Sequence, residues 1–149
     1  MNKKIWGCVL IAVIVCTAGC SNKVKVSGKV TFPDGSPLTV GKVAFETETF
    51  VATGIIKENG TYTLGTDADG DGVPRGSYKV YIAGAMQQTG TQNMNVVTPN
   101  ASGSQERGTM AMPMFVQAVA PKYTKADTSG ITCDVKTSMT FDIKVEPPQ

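Results

Sequence analysis

Apolar and polar residues alternate along most of this chain. Val24, Val26, Val30 and Phe32 interleave with Lys25, Ser27, Lys29 and Thr31, the period of two that a half-buried strand imposes. Pro33-Asp34-Gly35-Ser36-Pro37 then reads as a turn. Val43 and Phe45 oppose Lys42, Ala44 and Glu46, and a third strand is expected over residues 50–57. Glu58-Asn59-Gly60 is a hairpin signal, read as a turn with positive φ at both central positions, and it points Tyr62 and Leu64 inward. Tyr78, Val80 and Ile82 alternate with Lys79, Tyr81 and Ala83, and Ile131, Cys133 and Val135 with Thr132, Asp134 and Lys136. Met139, Phe141, Ile143 and Val145 oppose Thr140, Asp142, Lys144 and Glu146. Nothing after residue 23 keeps a helical period beyond a turn or two. The pattern predicts an all-β fold: an antiparallel Greek-key sandwich of about seven strands in two sheets.

Two segments break the alternation. Residues 85–118 are rich in Gln, Thr, Asn, Gly and Ser and hold five of the seven methionines. A loop of that length in a compact domain is functional or disordered as a rule, so this insertion is the expected contact region. The other segment is the first twenty residues. Lys3 and Lys4 precede an apolar run from Ile5 to Cys16, too short for a bilayer span, which needs about 20 residues. A basic start, a short apolar stretch and the small residues Thr17, Ala18 and Gly19 describe a secretion signal.

Thr17-Ala18-Gly19-Cys20 resembles the lipobox of bacterial lipoproteins, although Leu is commoner where Thr17 stands and Cys16 is unusual before it. The resemblance implies cleavage before Cys20, a diacylglycerol thioether on its sulfur and N-acylation. Several acyl chains, at about 0.8 kcal/mol per buried CH₂, make a stable anchor. Residues 1–19 are then a signal peptide, 20–23 a lipid-anchored tether and 24–146 the sandwich with its insertion. Ser21 is not the Asp that often retains such proteins in the inner membrane, so the resemblance implies the periplasmic or outer face of an outer membrane.

Processing changes the arithmetic. The intact chain has 14 basic and 12 acidic residues, and removal of the leader takes Lys3 and Lys4. Near neutrality leaves nucleic acid without an electrostatic handle. Cys8, Cys16 and the only tryptophan, Trp6, leave as well, and lipid claims Cys20. Cys133 then stands alone, so no intramolecular disulfide forms in a compartment that would permit one.

The order of motifs in the remainder is informative: Val26-Ser27-Gly28-Lys29-Val30, Asn59-Gly60-Thr61-Tyr62 and Gly76-Ser77-Tyr78-Lys79-Val80. It resembles the carboxypeptidase regulatory-like or transthyretin-like β-sandwich. Pro121-Lys122-Tyr123 and Thr128-Ser129-Gly130-Ile131 are similar to small bacterial lipoproteins carrying that domain alone. The resemblance spans residues 24–84 and 119–146 and implies a fold rather than an activity. Gly28 is expected where a backbone approaches closely.

The chain has no histidine, which excludes Ser-His-Asp and Cys-His nucleophile systems and the usual base near neutral pH. No phosphate loop, Ser-x-x-Lys pair or Gly-x-Ser-x-Gly elbow occurs. Asp67, Asp69 and Asp71, with Gly72 after them, match the first half of a calcium loop, yet Tyr78 stands where a bidentate Glu is needed. The alternative for these residues is a solvated turn. Met110, Met112 and Met114 would lie on one side of an extended segment, and thioethers suit Cu(I); the alternative is adaptable packing. Cys133 alternates with inward residues and reads as a buried structural thiol. Glu46 and Glu48 read as solvated for want of a cleft, and Tyr81 beside Phe50 is at most a small sugar-stacking platform. The expectation is a non-catalytic, lipid-anchored envelope protein that binds another envelope protein or a glycan, without a cofactor. The alternatives are extracytoplasmic metal binding, through the aspartates or the methionines, and a purely structural lipoprotein.

Overall fold

A computed structural model describes residues 22–99 and 105–149. The predicted signal peptide and Cys20 lie outside the described residues. Two sheets form the body. The first has the order β10 (Ile131–Val135), β7 (Gly76–Ala83), β3 (Lys42–Glu46), β4 (Val51–Ile55), all antiparallel. In the second, β2 (Val26–Thr31) pairs antiparallel with β5 (Thr61–Thr63) on one side. On its other side lie β11 (Met139–Thr140) and β12 (Ile143–Lys144), both parallel to β2. A short pair, β1 (Lys23–Val24) with β6 (Val73–Pro74), closes one end.

The fold is therefore the all-β sandwich that the alternation predicts, with one departure from a wholly antiparallel plan at the C-terminal segments. Val26, Val30, Tyr62 and Ile143 of one sheet meet Val43, Phe45, Tyr78, Val80, Ile82, Cys133 and Val135 of the other, all buried. Each fully buried large apolar side chain contributes about 1.5–3 kcal/mol relative to exposure. The Phe45 ring meets Phe141 edge-on at 5.9 Å between centroids and Tyr78 at a tilt. Gly28 does lie at a close approach: a Cβ there would sit 1.9 Å from the carbonyl oxygen of Phe141. That same oxygen accepts a hydrogen bond from the Tyr62 hydroxyl at 2.5 Å.

Local detail differs from expectation at two places in the body. Ala44 faces away from the core, yet it is 1% exposed; it pairs with Tyr81 on one side and Thr53 on the other, and the larger neighbours cover its methyl. In the turn after Lys57, only Gly60 takes positive φ. The Gly60 N–H donates to the Lys57 carbonyl, and Asn59 instead accepts from the N–H and hydroxyl of Thr61. A 3₁₀ turn (Pro121–Thr124) and α1 (Ala126–Ser129) make the only helical stretches among the described residues, with Gly130 at φ 67° ending them.

The insertion is not a loop. It forms β8 (Met86–Pro99) and β9 (Gln105–Gln117), paired antiparallel along their length. Ala85 and Ala118 are buried at its base, where the Ala118 N–H donates to the Ala85 carbonyl. The amide-rich composition hid two strands because neither buries a face that would sharpen its pattern. Position is the further point. Asn22 accepts from Arg75, so the described chain begins beside the start of β7, whereas the ribbon leaves from its far end through Gly84. Eight residues of strand separate the two by roughly 25 Å.

Candidate functional site

Both faces of the β8/β9 ribbon meet solvent. Every described side chain in it is exposed apart from half-buried Val96. A bulge falls between Gln88, opposite Phe115, and Gly90, opposite Met114. Beyond it the register pairs Gln92 with Met112 and Met94 with Met110. Residues directly across a ladder share a face, so Met94, Met110, Met112 and Met114 form one stripe. The bulge puts Met86, opposite Gln117, on the other face with Phe115. The sequence pattern found Met110, Met112 and Met114 but missed Met94.

Charge is scarce here. Between Lys79 and Lys122 the chain carries only Glu106 and Arg107. Sheets usually guard their edges with charge, and among the described residues this ribbon's two outer edges pair with no strand and carry almost none.

The aspartate loop is differently arranged. The Lys23 ammonium lies 2.5 Å from Asp67 and 2.7 Å from Asp71, bridging the two carboxylates. Asp71 also accepts from the Thr66 N–H at 2.7 Å and from its hydroxyl. The Lys23 hydrogen bond, with those from Thr66, holds the Asp71 carboxyl well below the usual carboxylate range. Asp69 does not join them; it borders a separate surface hollow with Ile55, Lys57 and Thr63. Among the described residues, no group of three or more His, Cys, Asp and Glu side chains gathers as a metal site.

Glu46 and Glu48 prove to line a concavity, an open one of about 650 Å³ shared with Thr47, Ser77, Lys79 and Asp127. Lys79 and Asp127 meet at 2.6 Å across it. Their hydrogen bond pushes the lysine up and the aspartate down from their ordinary values. Both shifts run away from neutrality, where a general acid or base would have to titrate.

No protein-family model matches the chain, and no curated protein matches it. A solved structure does. The chain is similar to a DUF3823 family protein from Bacteroides ovatus ATCC 8483, at 16% identity and a TM-score of 0.40. The match covers 84% of this chain and 45% of that one, so this chain spans less than half of that protein's length. This likeness supplies no activity, ligand or partner.

Two remaining candidates resolve on geometry. Cys133 is 4% exposed, and burial raises its thiol above the ordinary value, away from the reactive thiolate. Phe50 packs against the core while Tyr81 stands half-buried near Glu46, so the two rings offer no broad stacking platform. The feature that remains for recognition is the ribbon.

Proposed function

We propose that this chain is a lipid-anchored, non-catalytic module of the cell envelope, tethered through Cys20 and touching another envelope protein or a glycan with its β8/β9 ribbon. The resemblance to lipoproteins carrying a carboxypeptidase regulatory-like domain supports the anchor and the body. One observation carries the binding role: an exposed, nearly uncharged ribbon springs from the end of β7 remote from the start of the described chain. An anchor at Cys20 would hold the body against its membrane, three residues allowing about 10 Å, while the ribbon is displayed from the opposite end.

The two halves of the reading are tested separately. Metabolic labelling with an alkynyl fatty acid should mark the wild-type protein and not the Cys20→Ser variant, and an unlabelled wild type overturns the anchor. A photo-cross-linker at Asn95 should capture a defined species in intact cells, whereas one at Lys57 on the body should not. Equal capture from both positions overturns the ribbon as the contact.

A second reading, extracytoplasmic metal handling, is favoured by the pairing of Met94 with Met110. Calcium at Asp67, Asp69 and Asp71 would first have to displace Lys23.

A further inference from the structure

We propose that the methionine face of the ribbon is a thioether site for a soft monovalent metal ion, Cu(I), held by Met94 from β8 and by Met110 and Met112 from β9, with Met114 adjoining. The inference stands on the ribbon's register and needs no protein or glycan partner.

Geometry comes first. Met94 and Met110 are direct cross-strand partners, and Met112 is the next residue on that face, opposite Gln92. Cβ atoms directly across a ladder lie about 4.5–5.5 Å apart, and diagonal neighbours about 7–8 Å. A methionine has three rotatable bonds beyond Cα, so three sulfurs from these positions reach a common point above the face. The bulge between Gln88 and Gly90 sets this arrangement. Without it, Met94 would share a face with Met86 and lie opposite the stripe.

The competing role for a methionine cluster is to fill gaps in a core, and the structure denies it one. Met94 is 50% exposed and Met110 54%, and among the described residues no second layer opposes them. Docking on a broad apolar partner would be served equally by Leu, which this ribbon lacks entirely.

Donor chemistry then selects the ion. Neutral sulfur ligands suit Cu(I), whereas Ca²⁺ and Mg²⁺ call for oxygen ligands, and Zn²⁺ and Cu²⁺ sites draw on imidazole or thiolate. No Asp, His or Cys lies in residues 84–120. Thioethers have the further property that they do not pair into disulfides, which matters for an exported protein. A metal shared by the two strands would also supply something the ribbon lacks. Two strands without a packed face are marginally stable in water, and an ion bridging Met94 to Met110 couples binding to their pairing.

The test uses the full-length lipidated protein in detergent, titrated anaerobically with Cu(I) against a chromogenic bicinchoninate competitor. Wild type should withdraw a single ion per chain from the competitor. Met94→Leu should weaken binding about tenfold or more, since even indirect supports of a metal site cost that much. The M110L/M112L/M114L variant should abolish it. Met86→Leu, on the opposite face, should change nothing. Hydrogen exchange with Ag(I), a redox-inert stand-in, should slow in β8 and β9 alone, and unaltered exchange in the body checks that each variant folds. Failure of the wild type to compete, retention of binding by the triple variant, or an equal loss in Met86→Leu each overturns the proposal.

Discussion

The β7/β3 pair in the body and the β8/β9 ribbon are both antiparallel ladders, the ribbon's interrupted by one bulge, with side chains alternating between two faces. They differ in what lies above those faces. Tyr78, Val80 and Ile82 of β7 are at most 2% exposed because the second sheet covers them, whereas Met94, Met112 and Phe115 are each about half exposed. Backbone pairing is thus common to both regions, and burial belongs to one. Since net hydrogen-bond contributions are modest and apolar burial supplies most of the driving force, the body holds its own shape. The ribbon's shape depends on its base and on whatever it meets.

Glycine substitutions should separate the two regions most sharply. Gly28→Ala would place a methyl 1.9 Å from the Phe141 oxygen and 2.6 Å from its carbon, both backbone atoms of the link between β11 and β12. We expect a loss of about 4 kcal/mol or more in urea unfolding, or no folded protein at all. Gly90 in the ribbon has nothing within 4 Å of the same added methyl. Gly90→Ala should be neutral or stabilise by up to about 1 kcal/mol, because a glycine in a strand is entropically unfavourable. Equal effects at the two sites would mean that the ribbon is packed after all.

Aromatic truncation is the next largest contrast. Phe45→Ala empties the centre of the core and should cost about 3–5 kcal/mol. Phe115→Ala, at a ring 53% exposed, should stay within about 0.5 kcal/mol in the same denaturation measurement. A smaller effect is expected of Tyr62→Phe. Its hydroxyl is kept protonated by burial and donates to the Phe141 oxygen. Its removal leaves that acceptor short of a partner, for about 1–2 kcal/mol.

Much of the body was legible in the sequence because a covered face imprints period two on the strand beneath it. Val26 and Val30 read inward, as did Tyr78, Val80 and Ile82, and all are buried. Direction leaves no such imprint. A strand alternates identically whether its neighbour runs with it or against it, so the parallel pairing of β11 and β12 with β2 was invisible. Ala44 misled for another reason: its burial comes from the bulk of cross-strand neighbours and not from its own place in the alternation. In the candidate site, three of the four striped methionines were readable from spacing. Met94 was not, since its face depends on a bulge several residues away. Lys23 was counted as tether, and its partners Asp67 and Asp71 lie 44 and 48 residues along the chain. The cleft beside Glu46 likewise needs α1 brought against β7, a contact no local pattern announces.

That ion pair gives the gentlest way to sharpen the contrast, through acid. Asp71 has its carboxyl lowered from an ordinary value of 3.8, chiefly by the Lys23 hydrogen bond and then by the Thr66 N–H. A group depressed on folding contributes stability in full above its unfolded value and loses it as pH falls through the folded one. Lys23, raised by the same partners, contributes in full below its ordinary 10.5 and loses it only as pH rises past its raised value. The acid limb is therefore where the loop weakens, from about pH 4 downward. Because the pair is partly solvated, the loss should be small and should shrink with added salt. Lys23→Gln should flatten the fall in urea midpoint between about pH 6 and pH 2. No ionisable residue occurs in β8, so amide exchange there, corrected for its intrinsic pH dependence, should not respond while β1 and β6 loosen. A β8 that loosened in step with β1 and β6 would show that the ribbon unfolds with the body rather than apart from it.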